Sequence, residues 1–141
     1  MYLLDTCVFS EFSKKSPSSS VISWAQTISL SDIFLSSLVL GELLRGVAKL
    51  PEGFRKQELH HWVQGLFVTH QARVVSIDTT VVRVWADITS RAESMGKTPQ
   101  VMDSLIGASA LANDLVLVTR NVDDFQDLGV SLFNPWGAPG S

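Results

Sequence analysis

Four acidic residues are the part of this sequence best suited to chemistry: Asp5, Glu42, Asp103 and Asp124. Two carboxylates about 4 Å apart repel by roughly 4 kcal/mol at an effective dielectric of about 20, so a fold that gathers several of them needs a counter-charge. An all-oxygen donor set suits a hard divalent cation, Mg²⁺ or Mn²⁺. Zinc is disfavoured because no Cys or His cluster is offered. An ion held by carboxylates keeps several waters and takes substrate phosphates directly. It lowers the pKa of a bound water and orients it for in-line attack, which is the chemistry of phosphodiester hydrolysis. Each acid also has a purely structural explanation. Glu42 and Asp103 sit near the expected starts of helices, where the dipole favours a negative charge. With 14 acids in the chain, some coincidences are expected.

The segment around Asp103 sharpens the question. Thr98 reads as a helix N-cap and Pro99 as the first helical residue. From Val101 to Ala112 the sequence is apolar or small on every side, the pattern of a buried helix. No Lys or Arg lies between Lys97 and Arg120 to pair with Asp103 locally.

Convergence of the acids depends on the elements that carry them. Short apolar runs predict strands at Tyr2–Leu4, Ile33–Leu35, Val74–Ile77, Leu115–Val118 and Val130–Phe133. Between them, periodicity predicts helices over Val8–Phe12, with Glu11 exposed, over Val21–Ile28 and over Val39–Lys49, capped by Ser36-Ser37. Further helices are expected over Phe54–Phe67 and over Thr80–Met95, the latter capped by Asp78 and closed by Gly96. Strict alternation of this kind predicts an α/β fold with a central, mostly parallel five-stranded sheet and helices on both faces. In such a sheet, strand ends and the starts of the following helices share one rim. Asp5 and Asp124 follow strands, and Glu42 and Asp103 open helices, so all four fall at that rim.

The remaining features set bounds. The 141 residues, 45% apolar, fit one folded domain over 1–136 with an unstructured tail over 137–141. No apolar run is long enough for a membrane and no leader pattern is present, so the chain reads as soluble and cytoplasmic. The single Cys7 allows no internal disulfide and reads as a small core residue. His60 and His61 are adjacent and point apart, so they do not form a metal pair. A net charge of −3 leaves nucleic acid open as a partner, since basic residues can line one groove. An aspartyl-phosphate phosphatase would place a second Asp two residues after the first. Here Thr6 and Cys7 follow Asp5.

Several short stretches occur together and in order: LLDTCVFSE at Leu3–Glu11, SSLVLGELLRG at Ser36–Gly46, VMDSLIGASAL at Val101–Leu111, VTRNVDDF at Val118–Phe125 and FNPW at Phe133–Trp136. With them the chain resembles the PIN-domain ribonucleases of the VapC/FitB type, the toxins of bacterial and archaeal toxin–antitoxin pairs. The resemblance implies a PIN-like fold and Mg²⁺- or Mn²⁺-dependent cleavage of RNA. It assigns Asp5, Glu42 and Asp103 to the acidic metal site. It gives the fourth place to Asp124, with Asn121 as a nearby contact, and it puts Thr6 and Thr119 beside the site in supporting roles. Relatives often have Asn where this chain has Cys7, a weaker hydrogen-bonding group.

The resemblance further implies a homodimer and a cognate antitoxin, with operator DNA reached only through the antitoxin, and no membrane. Phe9, Phe12, Trp24, Leu43 and Leu44 are expected near the antitoxin's landing surface. Arg45, Lys14 and Arg120, with Lys15 and Lys49, are the cations available for RNA phosphates. The alternative is a catalytically inactive PIN-like module that binds RNA or regulates, against which the intact acids argue.

Overall fold

Leu3 and Leu4 are adjacent on one strand and both are fully buried. Neighbouring strand residues face opposite sides of a sheet, so this strand is covered on both faces. Leu117 and Val118 show the same double burial. In this computed structural model, which describes residues 1–137, these residues belong to the two strands at the centre of the molecule. The five strands are β1 (Tyr2–Leu4), β2 (Ile33–Ser36), β3 (Val74–Val75), β4 (Val116–Val118) and β5 (Leu132–Phe133). All are parallel and lie in the order β3-β2-β1-β4-β5. Tyr2 pairs with Ile33 on one side and Val116 on the other, and Leu4 pairs with Val118. The α-helices among the described residues are α1 (Thr6–Phe12), α2 (Ser19–Ala25), α3 (Ser37–Ala48), α4 (Phe54–Thr69), α5 (Thr79–Ser94) and α6 (Val101–Ala112).

The strand order fixes where a ligand can sit. From β1 the chain winds outward through β2 and β3, then returns along α5 and α6 to β4 on the other side of β1. The winding reverses between β1 and β4, and in open α/β sheets the crevice beyond the carboxyl ends of two such strands is the binding place. Helix α6 runs antiparallel to the strands and feeds β4 from the opposite end of the sheet, so its first turn opens at that rim.

The predicted architecture therefore holds, while several boundaries differ. Ser36 and Asp78 do cap α3 and α5, accepting from Leu38 N at 3.1 Å and Val81 N at 3.0 Å. Helix α6 starts later than expected. Thr98 is not its N-cap, because Gln100 holds that place in an extended conformation without a side-chain capping bond. Gln100 stays extended, φ −63° and ψ 141°, so helical geometry begins only at Val101. Nor is α6 buried all round: Val101 is 64% exposed, and burial begins at Ser104. Strand β3 pairs over only Val74–Val75, since at the sheet's edge a single neighbour supports it. Of the tail expected over 137–141, residues 138–141 lie outside the described residues.

Candidate active site

Asp5 emerges from the carboxyl end of β1 and turns the chain into α1. Its Oδ1 accepts from Thr6 N at 2.8 Å, which satisfies a helix N–H that would otherwise lack a partner. Its Oδ2 accepts from Thr119 Oγ1 at 2.8 Å. Thr119 is fully buried just beyond β4, so one carboxylate ties together the two strands at the winding reversal. The Thr119 hydroxyl oxygen also accepts from Asn121 N at 3.0 Å, shaping the exit from β4. Thr6 donates through Oγ1 to Glu42 Oε1 at 2.6 Å, linking α1 to α3. Asp5, Thr6, Thr119 and Glu42 thus form one connected network.

Asp103 joins this network through charge. It occupies the first turn of α6, half-buried, and its pKa is pushed up to about 6. Burial is the main cause, followed by the negative charges of Asp5, Asp124 and Glu42. Asp5, only 7% exposed, is also held above the ordinary carboxylate range, first by burial and then by Glu42, against the lowering effect of its hydrogen bonds to Thr119 and Thr6. Asp124 is exposed on a 3₁₀ turn after β4 and shares a concavity with Asp103, Asp123, Asp127 and Lys97. Gly107 brings that turn close to α6. A Cβ there would lie 3.3 Å from Leu128 Cδ1 and 3.4 Å from Val130 Cγ2.

Among the described residues, none of the four acids has an ion-pair partner. No three Asp, Glu, His or Cys side chains among them are drawn into a closed ion cage either. The two facts agree physically. The carboxylates still raise the pKa of Asp103, and Mg²⁺ needs only one or two direct carboxylates because water completes its shell. The oxygen-only donors, the burial of Asp5 and the absence of an ion-pair partner for any of the four fit a hard divalent cation.

The PIN-domain family model matches residues 2–130. This chain belongs to the PIN-domain family. It is similar to toxin FitB of Neisseria gonorrhoeae, 35% identical over 137 residues that cover 96% of this chain and 99% of FitB. A VapC ribonuclease of Sinorhizobium fredii, Y4jK, is 31% identical over 137 residues, 96% of this chain and 98% of that protein. The solved structure of FitAB bound to an IR36 DNA fragment superimposes with a TM-score of 0.93 at 33% identity, covering 98% of this chain and 97% of that one.

Other residues of this PIN domain stand apart from their expected roles. Glu11 is not exposed. It is 5% exposed, because α1 turns it inward, where it pairs with Lys14 at 3.0 Å and accepts from Ser18 N at 3.0 Å. Lys14 is therefore partly neutralised, whereas Arg45 is exposed one turn beyond Glu42 on α3, and Arg120 is exposed directly after Thr119. Phe9 and Leu43 are core residues, while Phe12, Trp24 and Leu44 are half-buried. Cys7 packs against the core, yet it does more than fill space. Its Sγ lies 3.8 Å from Asp5 Oδ2 and 3.7 Å from Thr119 Oγ1, and it accepts from Arg120 N at 3.5 Å. Burial raises its pKa first, so it stays a thiol. The sequence offered no signal for this role, because the Thr119 and Arg120 contacts come from the far end of the chain.

Proposed function

We propose that this PIN domain is a Mg²⁺- or Mn²⁺-dependent endoribonuclease, the toxin of a toxin–antitoxin pair restrained by a cognate antitoxin. The observation that carries the reading is the placing of Asp103, half-buried, within the repulsion of Asp5, Asp124 and Glu42, none of which has an ion-pair partner among the described residues. Likeness to a FitB toxin and to a VapC ribonuclease supplies the substrate class and the biological setting. The FitAB complex on DNA supports a protein partner, with operator DNA reached through that partner. A homodimer and a cytoplasmic location complete the reading. No helix among the described residues is long and apolar enough to cross a membrane.

Asp5, Glu42, Asp103 and Asp124 would hold the metal, which supplies Lewis-acid activation of the scissile phosphate and of the attacking water. Asp5 is oriented by Thr119 and Thr6, and Thr6 also fixes Glu42. Fixed hydrogen bonds of this kind preserve ligand geometry through the reaction. Asn121 contributes backbone contacts to Thr119 and, through its carbonyl, to Asp124 N at 3.0 Å. Arg45, Arg120 and Lys14 provide cations around the acids for RNA phosphates.

Purified protein should cut single-stranded RNA with Mn²⁺ or Mg²⁺ and stop on addition of EDTA. Asp5→Ala and Asp103→Ala should each cost at least about 10²-fold in single-turnover rate, the scale of losing one electrostatic group at a reacting centre. Cleavage that persists at the parental rate in both variants contradicts the proposal.

A further inference from the structure

Beside the acids lies a second concavity whose chemistry differs from theirs. It is lined by Lys14, residues of the serine-rich turn, Arg120 and Trp136. Its only acid, Glu11, is nearly sealed from solvent and already bonded to Lys14 and to Ser18 N. Lys14 and Arg120 are both exposed, and of the two only Lys14 has an ion-pair partner among the described residues. The Arg120 guanidinium lies 5.4 Å from the centre of the Trp136 ring. Both members of this stack are anchored. The Arg120 backbone N donates to Cys7 Sγ, beside Asp5, and Trp136 N donates to Asn134 Oδ1 at 2.9 Å. Arg120 follows Thr119, the residue that holds Asp5, so the stack begins one residue from the acidic network.

A guanidinium laid on an indole is a pre-set flat cation. Its free N–H edge matches phosphate oxygens in a two-point fork, which an ammonium does not do. Aromatic and guanidinium planes also take unstacked bases, which single-stranded RNA offers and a paired helix does not. We infer that the Lys14 and Arg120–Trp136 concavity is a subsite for one nucleotide of single-stranded RNA flanking the scissile bond, with Arg120 on its phosphate and the stack supporting its base. This rests on the nuclease reading for its purpose, but binding tests it separately.

The test is fluorescence anisotropy of a short labelled single-stranded RNA on Asp5→Asn protein in EDTA, so that nothing is cut, with the same substitutions assayed for cleavage in the otherwise unaltered chain. Arg120→Ala should weaken binding about 10-fold and lower the salt slope by about 0.7, the value for one phosphate contact on a single strand. Arg120→Lys should recover less than half of that loss, because the charge returns without the plane. Trp136→Ala should cost about 5- to 10-fold, within the range for losing a stacking platform. Trp136→Phe, which keeps the packing, should restore most of it and guards against misfolding. In cleavage, Arg120→Ala should raise KM more than it lowers kcat. Unchanged affinity in Arg120→Ala, full rescue by Lys, or loss of affinity only for a protein partner would each overturn the subsite. A chain that binds RNA through Arg120 but never cuts it would overturn the nuclease reading and leave the subsite standing.

Discussion

Asp103 meets three other negative charges from a half-buried place, and the consequence is measurable in the metal-free protein. Its pKa is 3.8 without perturbation and about 6 in the fold. Between those values the folded chain keeps a proton that the unfolded chain has released. Stability from this group is therefore full below about pH 4, falls as pH rises, and is flat above about 6. Glu11 acts in the opposite sense, its pKa lowered by Lys14 and Ser18, so the wild-type curve mixes both trends. Comparison with Asp103→Asn isolates the first. In EDTA the two proteins should melt together near pH 4, and the variant should become the more stable by on the order of 1 kcal/mol at neutral pH, after allowance for solvent screening. A gap that does not change with pH would contradict the burial and repulsion assigned to Asp103. Thr119 makes a different prediction. Removing its hydroxyl in Thr119→Val leaves Asp5 less well oriented and should lower cleavage about 10- to 100-fold in single-turnover assays, with Thr119→Ser close to the parent.

Why some of these residues were legible in the sequence and others were not follows from where their partners lie. Asp5 at a strand end and Asp103 in a helix's first turn stand out as candidates by position, whereas Glu42, expected to open its helix, lies in the second turn of α3, and the family resemblance singles it out. The roles of Cys7 and Glu11 depend on contacts outside their own helix, Cys7 with Thr119 and Arg120 and Glu11 with Ser18 N. No local pattern reports such contacts.

At the scale of elements, two features place the acids. Ser36 is fully buried and caps α3, six residues before Glu42. Ser36→Ala should cost about 1 kcal/mol in denaturant unfolding, the usual loss of an N-cap. Gly107 lets α6 approach the segment that follows Asp124 and leaves no room for a branched side chain. Gly107→Val should cost about 1–3 kcal/mol through overpacking, with a reduced cleavage rate as Asp103 and Asp124 move apart. Unchanged stability would mean that the segment yields freely. Helices and central strands were readable because apolar spacing continues over several residues in each. The start of α6 was not, because Thr98 and Pro99 have the right side chains for a cap and a first turn while the chain stays extended as far as Gln100. The ends of β3 and β5 were not either. Where an edge strand stops depends on its single neighbour rather than on its own residues.

For the molecule as a whole, alternation of strands and helices was enough to predict a parallel sheet but not the order β3-β2-β1-β4-β5. That order puts β1 beside β4, Asp5 beside Thr119, and the start of α6 at the same rim. The topology thus brings together carboxylates from both halves of the chain, at a cost in repulsion that only an added positive charge removes. Thermal unfolding with and without Mn²⁺ at neutral pH tests this most directly. The wild type should gain several degrees with Mn²⁺, since roughly 1 kcal/mol corresponds to about 2–4 °C at this size and ligand binding stabilises the folded state alone. Asp103→Asn should melt higher than the wild type in EDTA and gain little from Mn²⁺. A wild type indifferent to Mn²⁺, or an Asp103→Asn variant that gains as much as the wild type, would contradict the assignment of these acids to a metal site.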